Sequence, residues 1–237
     1  MDSIRFLPCG EAAVTVEFSR EIKEETNAVI RYLASRLESG ALAGVRETVP
    51  AFCSLTVYFD PLLLPYEALQ KEILAILSRA SQSKTASRRI FCIPVCYEGE
   101  YAPDMEDVCR LTGLNREEVI RLHSGRDYLI YMLGFLPGFP YLGGMDPRLE
   151  APRLDSPRTA IPVGSVGIGG KQTGIYPLSS PGGWRLIGRV PVTLYDPQRE
   201  PAVLYRAGDH IRFFPISKEE FNRYAEENTV EIKEETV

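Results

Sequence analysis

Twelve of the nineteen glycines in this 237-residue chain fall between Gly134 and Gly188. A long helix cannot survive that density of glycine, nor the prolines scattered among them. What remains between the punctuation is short β-type runs: Ser165 to Ile168, Leu186 to Ile187, Val192 to Tyr195, Val203 to Tyr205 and His210 to Phe214. Runs of that length at that spacing predict a closed or nearly closed β structure with elaborate loops. The same region holds four glycine-rich strings, GFLPGFPYLGGM, PRTAIPVGSVGIGG, KQTGIYP and SSPGGWRLIG. Glycine tolerates positive φ and lets backbone amides approach a ligand, so these strings suit an oxyanion or phosphate cradle. They suit tight barrel corners equally well.

The N-terminal third has a different texture. Val14, Val16 and Phe18 alternate with polar residues, as in a half-buried strand. Ile22, Thr26, Val29, Ile30, Leu33 and Leu37 then recur at spacings of three and four, predicting a helix that Gly40 can end. Two β-rich runs, Val45 to Pro50 and Cys53 to Phe59, precede a second helix from Tyr66 to Leu77. A ββαββα order with short connections implies an antiparallel sheet with helices on one face. The segment SRASQSKTASRR, Ser78 to Arg89, has almost no large apolar residue and reads as a linker, giving domains at 1–85 and 86–237. Beyond it come a strand from Arg89 to Val95 and two short helices. Pro103 is placed to start the first helix and Gly113 to end it, while Asn115 and Glu118 form a capping-box pattern for the second. DYLIYMLGF from Asp127 is strand-like, and the charged tail NTVEIKEETV reads as frayed.

Composition excludes several classes. With 44% hydrophobic and 25% charged residues the chain can build a core. A formal charge of −5 without a basic run argues against nucleic acid as a partner. The N-terminus has no continuous apolar h-region and no stretch of eighteen apolar residues exists, so neither secretion nor a membrane span is expected. Five cysteines without a CxxC pair fit reduced thiols in the cytoplasm. Cys92 and Cys96 lack a nearby histidine or third thiol, so no metal site is expected.

Few residues offer chemistry. His123, at the end of the helix beginning near Asn115, can serve as an acid or base near neutral pH, or sit against free carbonyls at the helix end. His210 belongs to a β run and reads as structural. Arg148, Arg153, Arg158 and Arg185 lie in or beside the glycine-rich region, where a guanidinium can clamp a carboxylate or phosphate. Surface cations on long loops are the plainer reading. Trp184 suits a platform for a ring, or the core; Tyr131, Tyr141 and Tyr176 share that ambiguity. The GGK ending at Lys171 fails as a phosphate loop, because Ser165 stands where glycine is needed and Gln172 where serine or threonine is needed. No Ser/His/Asp order or HExxH helix occurs.

Several of these strings together carry a family resemblance: VPAFCSLTVYFD, IPVCYEGEYAPD, LHSGRDYLIYMLGFLPGFPYLGGM, SPRTAIPVGSVGIGGKQTGIYPLSSPGGWRLIGR and AGDHIRFFPI. In this order they resemble the 5-oxoprolinase B-subunit family, named also for the kinase inhibitor KipI and similar to the first subunit of allophanate hydrolase. The resemblance spans nearly the whole chain and is strongest from His123 to Arg189. It implies an N-terminal α/β domain followed by a cyclophilin-like β-barrel. It also implies subunits C and A as partners, and ATP with Mg2+, shared with a partner subunit, in opening 5-oxo-L-proline to glutamate. A second implied activity is binding a sporulation histidine kinase and blocking its autophosphorylation. A urea carboxylase or allophanate hydrolase component is a third, weaker by the lack of a biotin-attachment or amidase motif.

A five-membered lactam is an unactivated amide that recloses readily, and transfer of phosphoryl to its oxygen makes that oxygen a better electron sink. The expected site therefore has glycine-loop amides and arginines stabilising phosphoryl charge, with His123 assisting a proton transfer. Catalytic roles fall to His123, Arg158 and Lys171. Binding roles fall to Arg153, Gln172, Tyr176, Ser180, Gly182, Gly183 and Trp184.

Overall fold

The computed structural model describes residues 4–79 and 87–236, which fall into two compact units, Met1–Thr85 and Ala86–Val237. Most of the segment expected as a linker, 80–86, lies outside the described residues. Its flanks belong to regular elements: Ser78 to a helix, Arg88 and Arg89 to a strand.

The first unit runs β1 (Arg5–Pro8), β2 (Ala13–Glu17), α1 (Glu24–Arg36), β3 (Val45–Pro50), β4 (Ser54–Phe59) and α2 (Tyr66–Arg79). Its four strands form an antiparallel sheet in the order β1-β2-β4-β3. Alternation explains the burial: Val14, Val16, Leu55, Val57 and Phe59 face the core, where Ile30 and Leu33 of α1 and Leu69 and Ile73 of α2 meet them. The expected ββαββα order is present. Ile22, expected on the apolar stripe of α1, instead precedes the helix and is half exposed. After one wider turn, Gly40 at φ 75° stops the helix, a conformation that costs a side chain more than it costs glycine.

The second unit begins with β5 (Ser87–Cys96), followed by α3 (Met105–Thr112) and α4 (Arg116–Ser124). Both helices are punctuated as their sequences predict. Gly113 at φ 74° closes α3, and Asn115 and Glu118 make both bonds of a capping box at the start of α4. Then come β6 (Asp127–Leu133), β7 (Pro140–Gly143), β8 (Arg158–Ile161), β9 (Ser165–Gly169), β10 (Gln172–Ile175), β11 (Ser180–Gly182), β12 (Arg185–Arg189), β13 (His210–Ile216), α5 (Lys218–Glu227) and β14 (Glu231–Thr236).

Seven of these strands close on themselves in the order β12-β9-β10-β7-β6-β13-β5, with β5 returning to β12 through the pair Arg189 and Cys96. Closure there needs Gly188, because a Cβ on it would lie 2.6 Å from Val95 Cγ1. β13 and β5 run parallel; the other barrel pairs are antiparallel. β8 and β11 form a separate two-stranded ribbon.

Three expectations are corrected here. The charged tail is not frayed: β14 pairs antiparallel with residues 87–92 of β5 and covers an edge that β12 leaves open. Val192 to Tyr195 and Val203 to Tyr205 are not strands; one isolated bridge, Tyr195 to Val203, joins them. The helix α5 falls outside the sequence expectations, although Ser217 and Glu220 carry the same capping-box pattern as α4 and make both of its bonds.

Candidate functional site

His123 lies inside the barrel with no exposed surface. Its ring stacks on Phe213 at 4.6 Å between centroids. Thr173 Oγ1 donates to the carbonyl of Gly167 at 3.1 Å and lies 2.8 Å from His123 Nε2, so Nε2 carries the proton and donates to Thr173. Nδ1 then accepts from the Tyr97 hydroxyl at 2.7 Å. Burial drives the imidazole pKa down from 6.5 to about 3, with Arg126 adding to the shift, so the ring stays neutral. This chain of hydrogen bonds ends on a backbone carbonyl inside the core. Both nitrogens are engaged and no ring edge reaches solvent, so the geometry gives His123 a packing and bonding role instead of the expected proton transfer.

Trp184 is also buried, in a smaller cluster with Phe139, Ile161, Tyr176 and Leu186. This cluster explains much of the glycine pattern. A Cβ on Gly169 would lie 2.5 Å from Trp184 Nε1, and one on Gly174 would lie 3.1 Å from Trp184 Cζ3. On the neighbouring strand β7, a Cβ on Gly143 would lie 2.0 Å from the Tyr131 ring. These glycines let aromatic faces lie on the strand backbone. Gly167 and Gly169 sit in the ladder between β9 and β10, facing Gly174 and Gln172. The expected cradle of free glycine amides is therefore not formed along these strands.

Several of the residues assigned from sequence do converge. Arg153 rests over the Trp184 ring at 5.9 Å. A Cβ on Gly182 would meet the Tyr176 hydroxyl at 2.7 Å, and Gly182 is the cross-strand partner of Arg158. Gly183 accepts from the Leu154 amide at 2.7 Å. Ser180 is buried on the same ribbon, and its hydroxyl has no hydrogen-bond partner among the described residues. Burial, the largest influence, raises the Tyr176 phenol. Lys171 and Gln172 stand apart at the β9–β10 hairpin, where Lys171 is exposed.

Arg158 faces a different space, a cleft of about 200 Å³ bordered by Tyr101, Pro103, Leu186, Glu100 and Arg189. Its position is set by Asp104, an acid to which the sequence assigns no role. Asp104 is 5% exposed and stands at the N-cap position of α3. One carboxylate oxygen accepts from Arg158 Nη2 at 2.7 Å, and the other accepts from the Leu186 amide at 2.6 Å. Its own amide donates to the Leu186 carbonyl, so the start of α3 is pinned to β12. Arg158 Nη1 is buried without an acceptor among the described residues. Arg189 on β12 also borders the cleft, and its Nε donates to the Val163 carbonyl at 3.0 Å. Glu100 is bound by Lys218 at 2.8 Å, which lowers its pKa through the hydrogen bond.

The remaining arginines singled out from sequence are structural. Arg148 grips Asp146 in bidentate fashion, and that contact holds the Asp146 carboxyl well below the usual range. Arg185 bonds the Pro152 carbonyl and Asp107. Among the described residues no group of three or more His, Cys, Asp or Glu side chains could hold a metal. No helix among them is long and apolar enough to cross a membrane. Burial raises the thiol pKa of Cys92 and of Cys96, which keeps both protonated. Asp104 had only a local signal, an acid just before a helix; its burial depends on Leu186, far along the chain.

Comparison with known proteins agrees with this architecture. The family model for the carboxyltransferase domain, subdomain C and D, matches residues 4–205. The chain is similar to the B subunit of 5-oxoprolinase from Bacillus subtilis (strain 168), with 44% identity over 229 residues, 92% of this chain and 95% of that protein. It is similar to the B subunit of 5-oxoprolinase from Escherichia coli O157:H7, with 39% identity over 216 residues, 91% of this chain and 97% of that protein. The crystal structure of TTHA0988 superposes with a TM-score of 0.77 at 37% identity; the match covers 86% of this chain but 40% of that one.

Proposed function

The chain belongs to the 5-oxoprolinase B-subunit family, built on the carboxyltransferase subdomain C and D unit, and from that premise we propose that it is one component of an ATP-dependent 5-oxoprolinase. With subunits A and C it opens 5-oxo-L-proline to L-glutamate, and it has little activity alone. The same reading carries the cyclophilin-like assignment of the barrel.

One observation supports a working site in this chain. The Arg158 guanidinium is held by a buried carboxylate at the wall of a cleft while Nη1 still lacks an acceptor. A stable core has no use for such an arrangement, since an unsatisfied buried donor costs about 1–3 kcal/mol. The part of the guanidinium that borders the cleft is thereby held in a fixed orientation, which can orient an arriving anion without reorganisation.

ATP supplies the driving force that an unactivated lactam lacks. The residues of this chain do not fit a triphosphate with its metal: no acidic cluster is present among the described residues, and the glycine amides of β9 and β10 are in ladders. The nucleotide and Mg2+ are therefore assigned to the assembled complex, with a partner subunit contributing. This chain's own part is to bind and orient the small anionic reactant.

The test is reconstitution. ATP-dependent release of glutamate is measured with subunits A and C, with and without this chain, and with Arg158→Gln in its place. Release should require this chain, and the variant should lower kcat/KM at least tenfold, about 1.4 kcal/mol. Equal release by A and C without it removes the proposal.

A further inference from the structure

The charges around the cleft do not cancel. Arg158 is balanced by Asp104, and Glu100 by Lys218. Arg189 also borders the cleft, and its one bond, from Nε to the Val163 carbonyl, leaves both terminal nitrogens without an acceptor among the described residues. One positive charge is left over. That excess matches a single carboxylate; it is too small for a triphosphate with its several negative charges.

The walls narrow the choice further. Tyr101, Pro103 and Leu186 give the cleft apolar flanks, and its volume of about 200 Å³ suits a small ring and not a nucleotide. Tyr101 cannot swing freely, because it stacks on Phe221 with centroids 4.2 Å apart. The two guanidiniums are carried by different strands, Arg158 on β8 and Arg189 on β12. Both strands are held to the start of α3 through Asp104.

We infer that this cleft is a carboxylate-binding site for a small cyclic acid, with Arg189 supplying the uncompensated charge and Asp104 acting as the positioning residue that sets Arg158. Taking that acid to be 5-oxo-L-proline rests on the proposed function; the sign and size of the charge do not. Arg189 then determines specificity for the carboxylate end of the substrate, and the lactam end is presented outward for the reaction. A ring without the carboxylate has nothing to satisfy Arg189 and binds poorly.

The test uses the full chain and three ligands, 5-oxo-L-proline, pyrrolidin-2-one and inorganic phosphate, with binding followed by NMR shift perturbation up to millimolar concentration. 5-Oxo-L-proline should bind at least tenfold more tightly than pyrrolidin-2-one, and Arg189→Gln should remove that preference. Asp104→Asn should weaken 5-oxo-L-proline as well, and Arg189→Gln keeps the inference testable if Asp104→Asn does not fold. In the mixture with subunits A and C, Arg189→Gln should raise KM for 5-oxo-L-proline at least tenfold with a much smaller change in kcat. Tighter binding of phosphate than of 5-oxo-L-proline overturns the carboxylate assignment. Equal behaviour of the two ring compounds, or an unchanged KM in the variant, overturns the site. Turnover that needs this chain but ignores Arg189 sinks this inference and leaves the proposed function standing. Carboxylate-dependent binding with no turnover does the reverse.

Discussion

Replacing His123 by leucine separates a core histidine from a catalytic one, and the structure sets the size of the effect. The substitution leaves the buried Tyr97 hydroxyl without its acceptor, a cost of about 1–3 kcal/mol. It also removes the stacked contact with Phe213, about 0.5–1.5 kcal/mol more. The total loss near neutral pH is about 1.5–4.5 kcal/mol. Titration adds a second signature. The imidazole pKa falls from 6.5 to about 3 on folding, so between those values the unfolded chain binds the extra proton. Stability from this group is complete above pH 6.5 and is lost as pH falls toward 3. Lowering the pH to ~4.5 is a drop of about two units below the unfolded pKa and costs the wild type about 3 kcal/mol that the leucine variant does not lose. Urea unfolding followed by tryptophan fluorescence reads this directly, because the single tryptophan, Trp184, lies in the barrel unit. The variant should be much less stable near pH 7 and nearly equal to the wild type at the lower pH. Turnover with subunits A and C, per folded molecule, should be unchanged. A stability gap that ignores pH, or a fully stable variant without turnover, refutes the argument.

Other consequences follow from single contacts. Gly169→Ala places a Cβ against the indole nitrogen and should destabilise the barrel by about 1–3 kcal/mol, with a shift in Trp184 emission seen in the folded state. Ser217→Ala removes the cap of α5 and should cost about 1 kcal/mol, measured as a lowered urea midpoint. Truncation after Asn228 removes β14 and bares the edge of β5 over residues 87–92; light scattering should detect self-association that the full chain does not show.

What the sequence determined on its own was local. Apolar spacing gave α1, α2 and the strands of the first unit, and cap residues placed the end of α3 and the start of α4, because each signal involves neighbours within one or two turns. The glycine density correctly excluded long helices and pointed to a closed β structure. α5 left a capping-box signal in Ser217 and Glu220 that the sequence expectations did not include. Tertiary structure alone decided the rest. β14 looks like a solvated tail until β5 offers its edge, since the partner strand supplies half of every ladder bond. His123 looks like a titratable helix-end group until Tyr97 and Thr173 close around it. The glycines of β9 and β10 look like a phosphate cradle until Trp184 is laid against them. Asp104 carries no role in the sequence; its carboxylate is engaged only when the fold brings up Arg158 and the Leu186 amide, the latter 82 positions away. Propensity acts between neighbours in sequence, whereas burial and charge pairing are sums over neighbours in space, and only the folded chain fixes that sum.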